Sequence, residues 1–301
     1  MDRDLVLNKS YRCPRDILML AHALGLGIHN PRGAVQMLGD PASWNAVGYE
    51  IKEGKLEKGE KVVLLRPAEN SPTLITEVYK GQQPLIEHRA FETREEELEW
   101  IAASIAEAVH QEAVPPENIV VISLDSIKAK KYMISLQRLL REKNVGSTIP
   151  GLVDASSDFA EAGLVTLSTV FRAKGNEAPV VYILSFEHLY SFAEEIENRN
   201  RAFTSISRTK GWVRITGIGQ RMVRVQEEVN LILKDLPTFK FVFPDLNQLR
   251  KLDASETSRR RKQVRKVRTA VTELITSKEA LGDLSETERT KLLELLKEIV
   301  K

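Results

Sequence analysis

Cysteine is nearly absent from this 301-residue sequence, which has one, Cys13, and therefore no internal disulfide framework. A single cysteine suits a reducing compartment, and we expect a cytoplasmic location. The five histidines are scattered and form no metal-ligand spacing with the one cysteine, so we predict that the chain holds no metal of its own. No run of about eighteen apolar residues and no basic-then-apolar N-terminus occurs, which predicts neither a membrane span nor a secretory signal.

The phosphate-cradling loop Gly-x-x-x-x-Gly-Lys-Ser/Thr is also missing from the sequence. Its Gly-Lys pair, Gly54-Lys55, is followed by Leu56 in a polar stretch. The apolar run at residues 119–124 ends in a lone acid, Asp125, where a Mg²⁺-binding strand would end in paired acids. We therefore predict that this chain by itself neither cradles the phosphates of ATP nor holds the Mg²⁺, and that by itself it does not hydrolyse ATP.

The composition is that of a globular protein, with 42% hydrophobic and 29% charged residues, enough for one sizeable core and a small accessory region. The net charge of +2 hides an uneven distribution, because a dense basic run lies at residues 258–268. We predict one domain over residues 1–245 and a basic helical extension over residues 246–301. The basic run either contacts phosphates or is a solvated face or tether. The leucine-rich end, residues 285–301, is expected to be a docking or oligomer surface.

Short apolar runs alternate with amphipathic helical patterns along most of the chain. We therefore expect an α/β fold with a mostly parallel sheet flanked by helices. A glutamate-rich helix and a second helix after the lone acid each show one apolar face. The predicted strands span residues 61–66, 119–124, 164–170, 179–184 and 212–217, the predicted helices span 14–24, 93–111, 128–142 and 200–211, and residues 72–91 are compatible with a hairpin.

Residues 25–59 are rich in Gly, Pro and Asn and predict a loop-rich insert. Trp44 and Tyr49 in this segment are either surface anchors or residues packed under their own loop, which is the commoner outcome for large aromatic side chains. The first role would give a contact surface, and the second only a local core.

Residues 164–217 carry the densest group of chemically useful side chains. An apolar strand ends in a polar turn at residues 171–177, a second strand follows, and a predicted helix then carries Arg201 and Arg208, seven positions apart. In open parallel sheets, ligands bind outside the carboxyl ends of the strands. Hydroxyls and backbone amides at such ends suit phosphates, and arginines suit the charge of a transferring phosphoryl group.

Three motifs, in this order, resemble those of the second RecA-like domain of superfamily 1 helicases of the UvrD/Rep type. Residues 7–14 resemble motif IV (L-x-x-N-Y-R-S/C-P), residues 166–177 resemble motif V (T-V-H-x-A-K-G-L-E-F), and residues 201–210 resemble motif VI with its T/S-R-A/T core. The resemblance covers about residues 5–220 and implies a RecA-like fold of the P-loop NTPase type. In that family a Walker-bearing first domain precedes motif IV. Because this sequence begins just before motif IV, we expect it to be the C-terminal half of a two-domain motor, with the first domain supplied in cis or in trans.

The resemblance implies roles in ATP hydrolysis for five residues. Arg12 and Arg208 would be catalytic arginine fingers on the γ-phosphate of ATP, which together with Mg²⁺ would be held mainly by the first domain. Arginine suits this role because its planar fork binds two phosphate oxygens and stays charged. Tyr11 would stack on the adenine, Gly175 would permit close approach of the backbone, and Glu177 would accept a hydrogen bond from the ribose.

A second group of residues is implied to bind single-stranded nucleic acid. Thr169, with Ser168 as the weaker candidate, would hydrogen-bond the phosphate backbone. Arg172 and Lys174 would supply positive charge next to the strand. Phe171 departs from the histidine that is usual in the family, and its ring either stacks on a base, worth about 1–3 kcal/mol, or belongs to the core.

The resemblance therefore implies the second motor domain of an ATP-dependent DNA helicase or translocase, of 3′-to-5′ polarity, acting on single-stranded DNA. Two other classes stay open: a catalytically silent nucleic-acid-binding or scaffold module, and an RNA-acting or nuclease-linked relative. Retention of Arg12 and Arg208 argues against the silent module, since ATP is the ligand that needs them. Arg201, which resembles the earlier arginine of motif VI, is expected to be structural.

Overall fold

A computed structural model describes residues 9–73, 75, 84–151, 158–191 and 195–252, with side chains described to residue 249 in the last helix. These residues, up to Leu249, belong to one compact unit. The helices are α1 (Arg15–Leu26), α2 (Pro41–Ala46), α3 (Arg94–His110), α4 (Ala129–Glu142), α5 (Val170–Ala173), α6 (Glu195–Ile206), α7 (Gly219–Asp235) and α8 (Leu246–Leu252), with 3₁₀ turns at Ala68–Asn70, Pro116–Asn118 and Phe186–Tyr190. The strands are β1 (Glu50–Glu53), β2 (Lys61–Leu65), β3 (Ile86–Phe91), β4 (Ile119–Ser123), β5 (Ser147–Thr148), β6 (Val165–Thr169), β7 (Ala178–Leu184), β8 (Thr209–Ile218) and β9 (Thr238–Val242).

The central sheet has the order β3-β8-β7-β4-β6-β5, and every neighbouring pair in it is parallel. Strand β4 lies in its middle, where Val120 pairs with Thr166 on one side and with Val181 on the other. All residues of β4 are buried, as expected of a parallel strand that is covered on both faces. The predicted α/β fold with a mostly parallel sheet is confirmed.

Helices cover both faces of the central sheet because the side chains of each strand point alternately to one face and the other. Ile122 and Ile183 belong to a core that includes residues of α1, α6 and α7. Val121 and Tyr182, one position away on the same strands, belong to a second core with residues of α3 and α4. The first of these cores includes α1, which follows Arg12, and α6, which precedes Arg208.

The helices predicted at residues 93–111 and 128–142 are confirmed as α3 and α4. Helix α3 begins at a capping box, in which Thr93 Oγ1 accepts from the Glu96 amide and the Glu96 carboxylate accepts from the Thr93 amide. In α4, Leu136 and Leu140 of the apolar face are buried, whereas Tyr132 and Leu139 are only partly buried. Helical periodicity therefore located these two elements well.

The prediction that residues 25–59 form a loop-rich insert is wrong, because this segment contains α2 and β1. Strand β1 joins β2 and β9 in a small antiparallel sheet of order β1-β2-β9. Most residues of β1 are exposed, so no apolar run marks it in the sequence. Trp44 and Tyr49 are fully buried, which excludes the surface-anchor interpretation, and the Tyr49 ring stacks on Phe239 of β9 at 5.1 Å between centroids.

Several predicted features fall wholly or partly beyond the described residues. Strand β3 pairs in parallel with β8, while most of the first arm of the hairpin considered at residues 72–91 lies outside the described part. The basic run at residues 258–268 and the terminal helix at residues 285–301 also lie outside it. Of the helices that the structure describes, none is long and apolar enough to cross a lipid bilayer.

His22 on α1 is a histidine whose titration links folding to pH. Its Nδ1 atom lies 2.9 Å from the Tyr49 hydroxyl, and burial, followed by the charge of Arg66, lowers the pKa of His22 from 6.5 to about 4. The unfolded chain, with the higher pKa, takes up this proton first as the pH falls. The free energy of unfolding is therefore expected to decrease between pH 6.5 and about 4, by on the order of 3 kcal/mol from this group.

Urea unfolding at about pH 7 and about pH 4.5 measures this loss. His22→Gln removes the titrating ring but keeps a hydrogen-bonding group near Tyr49, so this variant should lose less stability on acidification than the wild type. His110→Gln, at the exposed end of α3, should behave like the wild type. Equal losses in all three proteins would contradict the assignment.

Candidate functional site

The residues predicted to form the site lie at two opposite edges of the central sheet. Thr169 ends β6 at the carboxyl edge, level with Leu184 of β7, because both pair with Ser123. Glu177 and Arg208 instead come immediately before β7 and β8, at the amino edge. Arg208 therefore lies away from the carboxyl ends of the strands, where ligands of open parallel sheets usually bind.

The group at the amino edge, called here the arginine cluster, consists of Arg12, Glu177, Arg208 and Lys210. Arg12 Nε lies 2.5 Å from Glu177 Oε1, and Lys210 Nζ lies 3.8 Å from Glu177 Oε2. The Ala178 amide donates to the Arg208 carbonyl at 3.1 Å, which holds the starts of β7 and β8 side by side. Three cations and one carboxylate leave a net charge of +2, an environment that suits a phosphate group.

Arg208 does not lie on the predicted helix at residues 200–211, because α6 ends at Ile206. The Arg208 amide donates to the Ser205 carbonyl at 3.2 Å in a closing turn, and β8 starts at the next residue. Its side-chain Nε donates to the Thr204 carbonyl at 3.1 Å, so the guanidinium also caps the C-terminal end of α6. Burial, and then the positive charge of Arg12, lower the pKa of Arg208.

Tyr11 and Cys13 flank Arg12 in sequence but have opposite environments. Tyr11 is 71% exposed, so its ring is accessible to a flat ligand such as a base. Cys13 is buried, and burial raises the pKa of its thiol to about 12, although the charges of Arg66 and Arg208 oppose this shift. The thiol is therefore neutral and adds no charge to the arginine cluster.

Gly175 lies in the turn that leads to Glu177. Its φ of +92° is in the left-handed region that favours glycine. A Cβ atom built there would meet nothing within 4 Å, so the backbone conformation, rather than crowding within the chain, explains this glycine. Lys174, the residue before it, is exposed.

The group at the carboxyl edge, called here the strand-end group, consists of Ser168, Thr169, Phe171 and Arg172. Ser168 is buried and its hydroxyl donates to the Thr169 carbonyl at 3.2 Å. The Thr169 hydroxyl accepts from the Arg172 amide at 3.5 Å and caps the short helix α5. Thr169, which is only partly buried, is thus the more accessible of the two residues.

Phe171 is 70% exposed, so the alternative that it is a core residue is wrong. The Arg201 guanidinium lies 5.7 Å from the centroid of its ring, within the range of a cation–π contact. Arg201 Nη1 also donates to Asn198 Oδ1 at 3.1 Å, which keeps the guanidinium on α6. The Arg172 guanidinium packs so closely on Gly151 that a Cβ on that glycine would overlap it.

A buried polar network, which the sequence analysis missed, joins the carboxyl ends of the other strands. Arg94 forms ion pairs with Glu97 and Glu187. Glu97 also accepts from the Ser185 amide at 3.1 Å and from the Thr216 hydroxyl at 2.7 Å. These bonds connect α3 to the segment after β7 and to β8. The glutamate-rich start of α3 gave no sign of this, since such residues usually face solvent.

Asp125, the lone acid after β4, extends this network. Its Oδ1 accepts from the Ile127 and Lys128 amides at 2.8 and 2.9 Å, and its Oδ2 lies 3.4 Å from His188 Nε2. Burial would raise the pKa of Asp125, but the bonds from His188 and the two amides hold it below its usual value. Among the described residues, no group of three His, Cys, Asp or Glu side chains is arranged to bind a metal ion.

Residues 164–216 match the sequence profile of the UvrD-like helicase C-terminal domain. The matched segment includes the strand-end group and, from the arginine cluster, Glu177, Arg208 and Lys210. The chain is also similar to the C-terminal domain of a possible DNA helicase from Lactobacillus plantarum WCFS1, with 13% identity, 73% of this chain and 96% of that chain covered, and a TM-score of 0.40. At that identity and score, the likeness does not bear on function. No curated protein sequence is similar enough to count as a relative.

Proposed function

We propose, since residues 164–216 match the sequence profile of the UvrD-like helicase C-terminal domain, that this chain is the second motor domain of an ATP-dependent DNA helicase or translocase. The arginine cluster is the observation that carries the proposal. It places Arg12 beside the start of β7, next to the exposed ring of Tyr11. The sequence has no phosphate-cradling loop, so a partner RecA-like domain with that loop, in cis or in trans, completes the ATP site.

The donors of the arginine cluster fit the terminal phosphate of a nucleotide. Arg12 and Arg208 each offer a planar fork of donors that matches two phosphate oxygens. In the proposed complex the partner domain holds ATP and Mg²⁺, while both arginines reach the γ-phosphate and Tyr11 stacks on the adenine. The Mg²⁺ ion and the partner's lysine neutralise phosphate charge in such sites, and the arginines add to this as charge develops in the transition state.

The strand-end group supplies the contacts that a single nucleic acid strand needs. The exposed ring of Phe171 can stack on any base, and the cation of Arg201 beside it strengthens such a platform. Thr169 provides a hydroxyl, and Arg172 is an exposed cation that can contact the phosphate backbone of the nucleic acid. These contacts are independent of base sequence, as a translocating motor requires.

Residues 170–177 connect the two groups through α5 and one turn. Thr169 ends β6 at the carboxyl edge, and Glu177 precedes β7 at the amino edge. Since this connection is short, a displacement at one end is transmitted to the other. In the proposed cycle, closure of the two motor domains on ATP engages Arg12 and Arg208 and shifts the grip of Thr169 and Phe171 on the strand, and hydrolysis reopens the cleft.

One observation favours the second candidate, a catalytically silent binding or scaffold module. The Arg208 side chain donates to the Thr204 carbonyl and to the Ser207 hydroxyl, at 3.1 and 3.3 Å, which is also what a purely structural arginine would do. The effect of Arg208 on ATP turnover separates the two candidates. Parallel titrations with single-stranded DNA and RNA separate the DNA motor from an RNA-acting relative.

The grip on nucleic acid is tested with Phe171→Ala. This variant is expected to bind a single-stranded DNA oligonucleotide about 5- to 150-fold more weakly, because one base stack is worth about 1–3 kcal/mol. Fluorescence anisotropy at fixed salt measures the change. Phe171→Trp should retain the affinity, and Val242→Ala, an exposed apolar residue of β9, should leave it unchanged. If Phe171→Ala bound DNA as tightly as the Val242→Ala control, Phe171 would not be part of the nucleic-acid site.

A further inference from the structure

Glu177 lies between two cations at the start of β7. Its Oε1 is 2.5 Å from Arg12 Nε and its Oε2 is 3.8 Å from Lys210 Nζ. The carboxylate side chain is 13% exposed, whereas the Arg12 side chain is 52% exposed and the Lys210 side chain 49%. The carboxylate is thus the fixed member of this trio, and both cations have free space in which to move.

We propose that Glu177 is a latch that holds Arg12 away from phosphate, and that Lys210 is the reserve counter-ion that takes over the carboxylate when Arg12 leaves. Both residues then act through Arg12 and are positioning residues. This inference rests on the proposed function, because it assumes that Arg12 moves to a phosphate group.

The exchange is physically favourable because no charge is left without a partner. A departing Arg12 alone would leave a carboxylate that is only 13% exposed without its nearest cation, which is unfavourable. Lys210 has a long flexible side chain with a compact charge, and its backbone is fixed where β8 pairs with β7 at Ala178 and Thr209. A small movement of its ammonium group from 3.8 Å tightens the ion pair that already exists.

The latch makes the position of Arg12 depend on a competing anion. A carboxylate and a phosphate use the same guanidinium face, so a phosphate must carry enough charge to displace Glu177. This differs from the ribose-acceptor role that the resemblance implies for Glu177. A probe that has phosphates but no ribose separates the two roles, since a hydrogen bond from Glu177 to a ribose cannot contribute to its binding.

The test uses the full chain and sodium tripolyphosphate. The Nε–Hε NMR resonance of Arg12, identified as the one that Arg12→Lys deletes, reports binding at this site alone and is insensitive to anions bound elsewhere. Glu177→Gln is expected to raise the affinity read at this resonance about two- to fivefold, the range for releasing a partly exposed ion pair. Glu50→Gln, which removes an equal charge from the Lys52 ion pair on β1, should leave the affinity unchanged.

Lys210→Ala completes the test as a double-mutant cycle with Glu177→Gln. As a reserve counter-ion, Lys210 assists only while Glu177 is charged, so its removal should lower the affinity about twofold in the wild type and not in the Gln background. An equal loss in both backgrounds would show that Lys210 contacts phosphate directly and would overturn its assigned role. An unchanged or weaker affinity in Glu177→Gln would overturn the latch. If tripolyphosphate shifts the Arg12 resonance in no variant, the proposed phosphate contact itself fails.

Discussion

Arg208→Ala is expected to lower ATP turnover by about 10³–10⁵-fold in an enzyme that joins this chain to the proposed P-loop-bearing partner domain. The transition state of phosphoryl transfer spreads charge over the transferring group, where an arginine finger acts most strongly. In the proposed two-domain enzyme, ATP binding in the ground state would depend mainly on the partner's loop. Nucleotide affinity and single-strand affinity should therefore change little, while the rate constant for hydrolysis falls.

Lysine at the same position provides the matched control for charge. Arg208→Lys should recover little turnover, because an ammonium group keeps the charge but not the planar fork. Arg12→Ala should behave like Arg208→Ala. The loss of turnover in the double variant, expressed as a free energy, should be smaller than the sum of the two single losses, since both arginines are proposed to bind one phosphate. Single-turnover measurements of hydrolysis on pre-bound ATP make these comparisons free of binding effects.

The hydrogen bonds that Arg208 makes to its own turn define the opposite outcome. Loss of the bonds to Thr204 and Ser207 is worth about 1.5–3 kcal/mol of stability each at most, because the guanidinium donor is charged. If Arg208→Ala lowered the free energy of unfolding by this amount while turnover stayed within about twofold, Arg208 would be a helix-capping residue and the silent module would be the better interpretation.

The sequence predicted most of the central sheet because buried parallel strands and amphipathic helices leave clear periodic patterns. Strand β4 and helix α3 were both located within one or two residues. The prediction failed where pairing partners decide the structure. The polar strand β1 exists because β2 offers it hydrogen bonds, and the helix expected to reach Gly211 stops at Ile206 because Thr209 begins to pair with β7.

The candidate site was predictable as a set of residues but not as an arrangement. Motif similarity identified Arg12, Glu177 and Arg208, which the structure brings together at the amino edge of the sheet. Thr169 lies at the other edge because it ends β6, whereas Glu177 and Arg208 precede β7 and β8. The order of the strands, with β4 between β6 and β7, cannot be read from local patterns. Lys210 had no assigned role in the sequence, since its partner is set by the register of β8.

Arg199, to which the sequence patterns assigned no role, is a fully buried cation on α6. Its guanidinium donates to the Leu24 carbonyl at 2.6 Å and to the Glu228 carboxylate at 3.0 and 3.2 Å. Burial alone would lower the pKa of Arg199, but the Glu228 carboxylate raises it. This residue therefore joins the end of α1, which follows Arg12, to α6, which precedes Arg208, and to α7.

Glu228→Ala is expected to lower the free energy of unfolding by about 3–5 kcal/mol, because it leaves the buried charge of Arg199 without its main partner. The Tyr190 hydroxyl, which donates to Glu228 at 2.6 Å, also loses its acceptor. Equilibrium unfolding in urea measures the loss. Glu227→Ala, the same change at the exposed neighbouring position, should stay within about 0.5 kcal/mol of the wild type.

Replacing both charged partners separates the ion pair from simple packing. Arg199→Met combined with Glu228→Leu should recover part of the stability, since apolar residues of similar volume often replace a buried ion pair at little cost, although the Tyr190 hydroxyl still lacks its acceptor. Turnover in the two-domain enzyme should nevertheless stay low, because the bond from Arg199 to the Leu24 carbonyl is lost and α1 and α6 no longer hold Arg12 and Arg208 in a fixed relation. A stable double variant with full turnover would mean that packing of α1 on α6 positions the arginines without Arg199. If Glu228→Ala lowered the free energy of unfolding no more than Glu227→Ala, the ion pair would not contribute to stability.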